Sequence, residues 1–352
     1  MLHPHYALPF SRLNSYSLAM TPFRFSGYAD SSAEPNVVVD GSPNESTVLT
    51  LTHWPGYPQP PGFHFDLSAE MAFRYLDHAI DHPRAEVATN NHYDQDGLVG
   101  LHALIEPEVA LQHRSLLVDV AAAGDFATYR DRRAARASMA IAAYADSDRS
   151  PLAHRLGGSY DEECVVLYEE TLPLLVPMVV DNESFRDLWA EEDDELSSSE
   201  RAIADGIVTI EELPDIDLAI VTIPVGEASR GGHRFASEYF DAVHPMALHN
   251  ATGCFRLLVV HGQRYQFVDR YETWVQYRTR RPLPRVDMRP LADRLTESER
   301  HSASWTASAP GSLTPTMRVE AESSLDHGVV REMVIDHLRQ GPPAWDPYRA
   351  NT

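Results

Sequence analysis

Three side chains at alternate positions carry the densest chemistry in this chain. His92, Asp94 and Asp96 lie in Asn90-Asn91-His92-Tyr93-Asp94-Gln95-Asp96-Gly97. Alternate residues of an extended segment point the same way, so one imidazole and two carboxylates can converge on a cation. Mixed nitrogen and oxygen ligands suit Mn2+, Fe2+ or Zn2+ better than Ca2+; Mg2+ stays open. A calcium loop of EF-hand type is excluded, because its twelfth-position Glu is missing. Gly97 permits a tight turn into the following helix. The same residues also read as an Asp-rich turn that caps a helix. The added His92 favours the metal.

These ligands need a strand end beneath them. The run 86–90 reads as a short strand before the loop and 98–105 as a helix after it. Upstream, 37–40 and 47–52 read as strands, and 57–62 as a Pro-rich loop. Asp66 or Ser68 caps a helix over 67–81, whose Ala69, Ala72, Phe73, Leu76 and Ile80 share a face. The run 115–120 reads as another strand and 131–146 as an Ala-rich helix. Strand alternating with helix predicts a parallel sheet covered by helices, with ligands bound at the carboxyl ends of its strands. Residues 151–205 read as mostly helical, with the acidic, Ser-rich 191–200 as an exposed boundary. A strand at 218–223 and a hairpin of 255–260 and 265–269 around Gly262 follow. A linker over 300–315 and a helix over 328–339 close the chain. The expected fold class is α/β, a parallel sheet flanked by helices in the N-terminal domain with a second mixed α/β domain. The expected division is a loose lead-in over 1–35, an α/β domain over 36–200, a substrate domain over 201–300, and a linker with C-terminal helix over 301–352.

Composition removes several function classes. The chain has 352 residues, 43% of them hydrophobic, enough for two ordinary domains or one elaborated one. Its formal net charge of −23 repels polyanions and argues against long duplex nucleic acid. No apolar run reaches the roughly 18 residues of a membrane span. The N-terminus lacks the features of a secretory signal. Cys164 and Cys254 cannot build a disulfide framework, which predicts a reducing, cytoplasmic setting. All 29 basic residues are Arg, so Schiff-base and phosphate-loop lysines are excluded. Gly-x-Ser-x-Gly, Gly-x-Gly-x-x-Gly and Cys-x-x-Cys motifs do not occur. A homo-oligomer is allowed.

The segment around His92 resembles the first motif of the DHH phosphoesterase superfamily. Its members include single-strand exonucleases, short-oligonucleotide phosphodiesterases, cyclic-dinucleotide hydrolases and inorganic pyrophosphatases. The resemblance implies one or two Mn2+ ions held by His92, Asp94 and Asp96, with Asp119, at the end of the expected strand, as the next ligand. It also implies a substrate-holding Gly-Gly-His-x-x-Ala segment, matched by Gly231-Gly232-His233-Arg234-Phe235-Ala236. The superfamily's Asp-His-His signature has no counterpart, since none of the four Asp-His pairs is followed by a second His. Asp125 is a substitute ligand just beyond Asp119. His53, followed by His64 and Asp66, falls on the same rim as His92 if their strands are neighbours.

Arg278, Arg280, Arg281, Arg285 and Arg289 form the most basic local run. Arg pairs bidentately with phosphate, and such a run also balances an exposed acidic edge. The expected function is metal-dependent hydrolysis of a phosphodiester or phosphoanhydride in a small nucleotide or short oligonucleotide. His92, Asp94 and Asp96 would be catalytic. Gly231, Gly232, His233, Arg234 and Arg280 would hold the small anionic phosphorylated substrate. The alternative is a degraded DHH-like protein that binds a nucleotide or serves as an interaction module. A third reading is a mononuclear hydrolase of a non-phosphate bond. Geometry separates them: four or more His and Asp side chains facing one cavity favour catalysis.

Overall fold

The computed structural model describes residues 22–78, 80–225 and 242–349. Its first half contains β1 (Arg24–Phe25), α1 (Tyr28–Ser31), β2 (Asn36–Val39), β3 (Thr47–Leu51), α2 (Ser68–Asp77), β4 (Val87–Thr89), α3 (Gln95–Ile105), α4 (Pro107–Asp125), α5 (Arg132–Ala145), α6 (Tyr160–Thr171), α7 (Leu175–Val180) and α8 (Arg186–Ala204). The strands form a parallel sheet in the order β1-β4-β2-β3. Val37, Val38 and Val39 are fully buried, as a strand covered on both faces requires. The part of the expected lead-in that is described, from Pro22 onward, supplies β1 and α1.

The second half contains β5 (Thr209–Leu213), β6 (Leu218–Ile223), α9 (Pro245–Ala251), β7 (Arg256–His261), β8 (Arg264–Asp269), β9 (Arg285–Val286), α10 (Arg289–Ser298), β10 (Trp305–Ala307), β11 (Thr316–Val319), α11 (His327–Gln340) and β12 (Pro343–Trp345). Six of these strands form a mixed sheet in the order β10-β11-β8-β7-β6-β5, with only β6 and β7 parallel. Alternation along β7 divides the core. Leu257 and Val259 join the apolar cluster that continues into the helices of the first half, whereas Leu258 and Val260 face α10 and α11. The fold is α/β, a parallel sheet with helices followed by a mixed α/β region. The hairpin around Gly262 forms as expected, with Gly262 at φ +62.

Three local expectations are corrected. Residues 115–120 are not a strand; they lie in the middle of α4. Leu117, Val120, Ala121 and Gly124 are buried at helical spacing, so the apolar run marks one helix face. Residues 191–200 are not an exposed boundary but part of α8, whose Trp189, Asp193, Leu196 and Ser199 are buried. The linker over 300–315 contains β10, and its following loop is pinned by Arg285, whose guanidinium donates to the carbonyls of Pro310, Ser312 and Leu313.

Candidate metal centre

Six titratable side chains gather where β2, β3 and β4 end and where α4 closes. Asp40 immediately follows β2, at φ +55. A non-glycine residue in that region is strained, and such positions cluster at functional sites. Its two carboxylate oxygens face different imidazoles. Oδ1 lies 3.4 Å from His53 Nε2 and accepts a hydrogen bond from the Ser68 hydroxyl at 2.8 Å. Oδ2 lies 3.3 Å from His92 Nε2.

The tautomer of His53 follows from its other nitrogen. Nδ1 lies 2.5 Å from the Asp66 carbonyl oxygen, which can only accept, so Nδ1 carries the proton. Nε2, buried and without a hydrogen bond, faces Asp40, Asp125 at 3.5 Å and Asp96 at 4.0 Å. A ring nitrogen and carboxylates so placed can share a cation held between them. A carbonyl on the far nitrogen is also how metal-bound histidines are ordinarily oriented.

Local structure places the remaining ligands. Asp94 caps α3: its Oδ1 accepts from the Gly97 N–H at 2.9 Å, leaving Oδ2 3.0 Å from His92 Nε2. Asp96 sits in the first turn of the same helix and accepts from the backbone N–H groups of Ser68 and Ala69, at 2.7 and 2.8 Å. Those donors begin α2, so the positive end of that helix helps hold a fully buried carboxylate. Asp125 ends α4. The Tyr168 hydroxyl donates to the His92 carbonyl, and the Ser42 N–H donates to the Asn91 side chain, tying the two rim loops together.

Glycines allow this close approach. A Cβ at Gly41 would overlap the side-chain oxygens of Asn90 and Asn91. One at Gly97 would overlap the Asn90 amide and the Tyr168 hydroxyl. Gly97 is therefore required by packing, not by the tight turn expected from the sequence.

The electrostatics show an excess of negative charge. Burial, then Asp94 and Asp96, push the Asp40 carboxyl well above the ordinary range. Burial and then Asp94 do the same to Asp96. Burial alone would lower His92, but Asp94 and Asp40 outweigh it and raise its pKa to about 10. Among the described residues no Arg pairs with Asp40 or Asp96.

The residues fit divalent cations. Asp40, His53 and Asp96 form one group, and Asp40, His92 and Asp94 a second; in each, the ligand atoms lie within 4.8 Å of one another. Asp40 belongs to both and turns one oxygen to each, which is the geometry of a bridging carboxylate. Two divalent cations would balance the four ionised carboxylates of Asp40, Asp94, Asp96 and Asp125. His92, Asp94 and Asp96 thus meet in the cluster but divide between two groups.

Other expected residues lie elsewhere. Asp119 points away: its carboxylate accepts from the N–H groups of Arg130 and Asp131, at 2.8–3.0 Å, and orders the turn before α5. Arg280 is spent on Asp217 and the Gly253 carbonyl and lies over the Phe255 ring. Arg278 holds Gln59 and Gln276, Arg281 pairs with Asp346, and Arg289 with Asp287. Gly231, Gly232, His233 and Arg234 lie outside the described residues. His64 is exposed. Asp40 is the candidate ligand that sequence reasoning missed. Its signal was Asp40-Gly41 directly after Val37-Val38-Val39, a strand-end Asp-Gly like Asp96-Gly97.

No helix among the described residues is long and apolar enough to cross a membrane. No curated protein and no solved structure matches the chain. The model of a family described as Family of unknown function (DUF6687) matches residues 21–349, which span both sheets, and the chain belongs to that family.

Proposed function

We propose that this protein is a metal-dependent phosphoesterase acting on a phosphodiester or phosphoanhydride in a small nucleotide or short oligonucleotide. The observation that carries this reading is the Asp40 carboxylate, shared between two His- and Asp-lined groups. Asp40, His53 and Asp96 would hold one Mn2+, and Asp40, His92 and Asp94 the other, with Asp125 beside His53. Mg2+, Fe2+ or Zn2+ would suit the same donors. Bound there, the ions supply Lewis-acid stabilisation of phosphoryl charge and activation of water.

The chain's own residues do the rest. The α2 N–H groups fix Asp96, the Asp66 carbonyl fixes the His53 ring, and the Gly97 N–H fixes Asp94. Six converging ligands support catalysis over a degraded binding module, for which scattered carboxylates would be expected. An acidic chain still allows a short anionic substrate where bound cations receive it, and two free, buried cysteines fit a reducing cytoplasm.

The test is metal content after chelation and reloading with Mn2+, measured together with hydrolysis of bis(p-nitrophenyl) phosphate and a short oligonucleotide. Wild type is expected to retain Mn2+ and turn over at least one substrate. The Asp94→Asn, Asp96→Asn double variant should lose both. A wild-type protein that takes up no metal would sink the reading.

A further inference from the structure

A phosphoryl group at this centre needs hydrogen-bond donors as well as cations. The arginines nearest in sequence to the second-half wall are engaged: Arg270 with Glu272, Arg278 with Gln59 and Gln276, and Arg280 with Asp217. Tyr271 is different. It opens the single helical turn Tyr271–Thr273 that follows β8. Its ring is fixed on three sides. It meets His53 edge-on, with centroids 5.9 Å apart, lies 6.2 Å from Phe126, and stacks on Trp274 at 5.8 Å and 20°.

The phenol edge is uncommitted. The hydroxyl makes no hydrogen bond among the described residues. Tyr271 is half-buried, so this hydroxyl is open to a ligand or to water. A phenol is a protonated donor at neutral pH, and this one, set against His53, bonds to none of the metal-centre carboxylates.

We propose that the Tyr271 hydroxyl donates a hydrogen bond to a non-bridging oxygen of the substrate's phosphoryl group. The second half of the chain would thereby contribute a substrate-binding residue to a centre whose ligands all come from the first half. The inference rests on the phosphoesterase reading. It goes beyond it by naming a neutral donor in a chain without lysine.

The experiment compares the Mn2+-loaded full chain with its Tyr271→Phe variant, using inorganic phosphate as the calorimetric probe and bis(p-nitrophenyl) phosphate for kcat and KM. Phenylalanine preserves the packing on His53, Phe126 and Trp274. Metal content and Tm should not change. Phosphate affinity should fall about 10- to 100-fold, the usual range for a hydrogen bond to a charged group. Phosphate binding within about twofold of wild type, with the metal retained, overturns the assignment but leaves the phosphoesterase reading standing. Loss of Mn2+ from the variant also overturns it, because Tyr271 would then be a support of the centre. Failure of the metal-loaded wild type to bind phosphate at all would overturn both.

Discussion

Two acidic clusters in this molecule differ in what faces their carboxylates. Along the seam between α5 and α8, buried Asp193 accepts from Arg132 Nε at 2.6 Å and from Arg136 Nη2 at 3.1 Å. Glu200 takes a second Arg132 nitrogen at 2.9 Å, and Arg136 lies over the Trp189 ring at 4.3 Å. That seam brings its own cations. On the rim of the parallel sheet, Asp40 and Asp96 meet imidazoles and backbone N–H groups but no guanidinium. Burying unpaired carboxylates costs several kcal/mol each, so the rim stores a demand for positive charge that the seam has already met. Charge density along the sequence does not separate them. The presence of paired guanidiniums does.

The comparison breaks most visibly at Asp40. Asp40→Asn removes the carboxylate that both ligand groups share. Mn2+-induced thermal stabilisation should disappear and turnover should fall about a thousandfold or more. Calorimetric scans with and without Mn2+ check this, and a variant that keeps the full Mn2+ gain would end Asp40's bridging role. The mirror experiment is Arg132→Ala in the seam. It removes one of the two guanidiniums on buried Asp193 and should cost about 1–3 kcal/mol in denaturant unfolding while leaving Mn2+ content unchanged. A neutral Arg132→Ala would show that the seam's ion pairs do not set the difference.

A smaller effect sharpens the geometry. Gly41→Ala pushes a methyl into the Asn90 and Asn91 side chains, which separate the Asp40 loop from the His92 loop. It should cost about 1–3 kcal/mol and weaken Mn2+ binding about tenfold, because the bridging oxygens move apart. Equal losses in the chelated and loaded protein would mean that packing alone is affected.

What the sequence revealed followed the range of the interactions. The loop from His92 to Gly97 was legible because strand, ligands and helix cap lie within a few residues of one another. The parallel sheet was legible because Val37-Val38-Val39 and 86–90 carry strand-type side chains between helical runs. Asp40 was hidden because its role depends on β2 pairing with β4, which joins segments about fifty residues apart. His53 and Asp125 were visible only as spare ligands, since nothing local shows that α4 ends beside the His53 loop. Asp119 misled because Leu116-Leu117-Val118 suits a strand as well as a helix face. Only the length of α4, with Pro107 at its start, decides between them. Tyr271 had no local signal at all.

The finest test of the contrast uses two histidines at opposite ends of one stretch of chain. His102, in α3, is lowered to about 4 by burial and, to a lesser degree, by neighbouring His113. His92 is half-buried, and against the lowering that burial brings, Asp94 and Asp40 raise it to about 10. Burial alone and burial among uncompensated acids therefore act in opposite directions on one residue type. For His102 the folded pKa lies below the unfolded value of about 6.5, so between the two the unfolded chain binds more protons. Its contribution vanishes at neutral pH, destabilises progressively as pH falls from about 6.5 toward 4, and is constant below that. His102→Leu should flatten the stability profile across that window without changing Mn2+ uptake. Imidazole NMR of the chelated protein should find His102 neutral and His92 charged at pH 6. Finding His92 neutral there would mean that the rim carboxylates are already neutralised from within. The difference between rim and seam would then be gone.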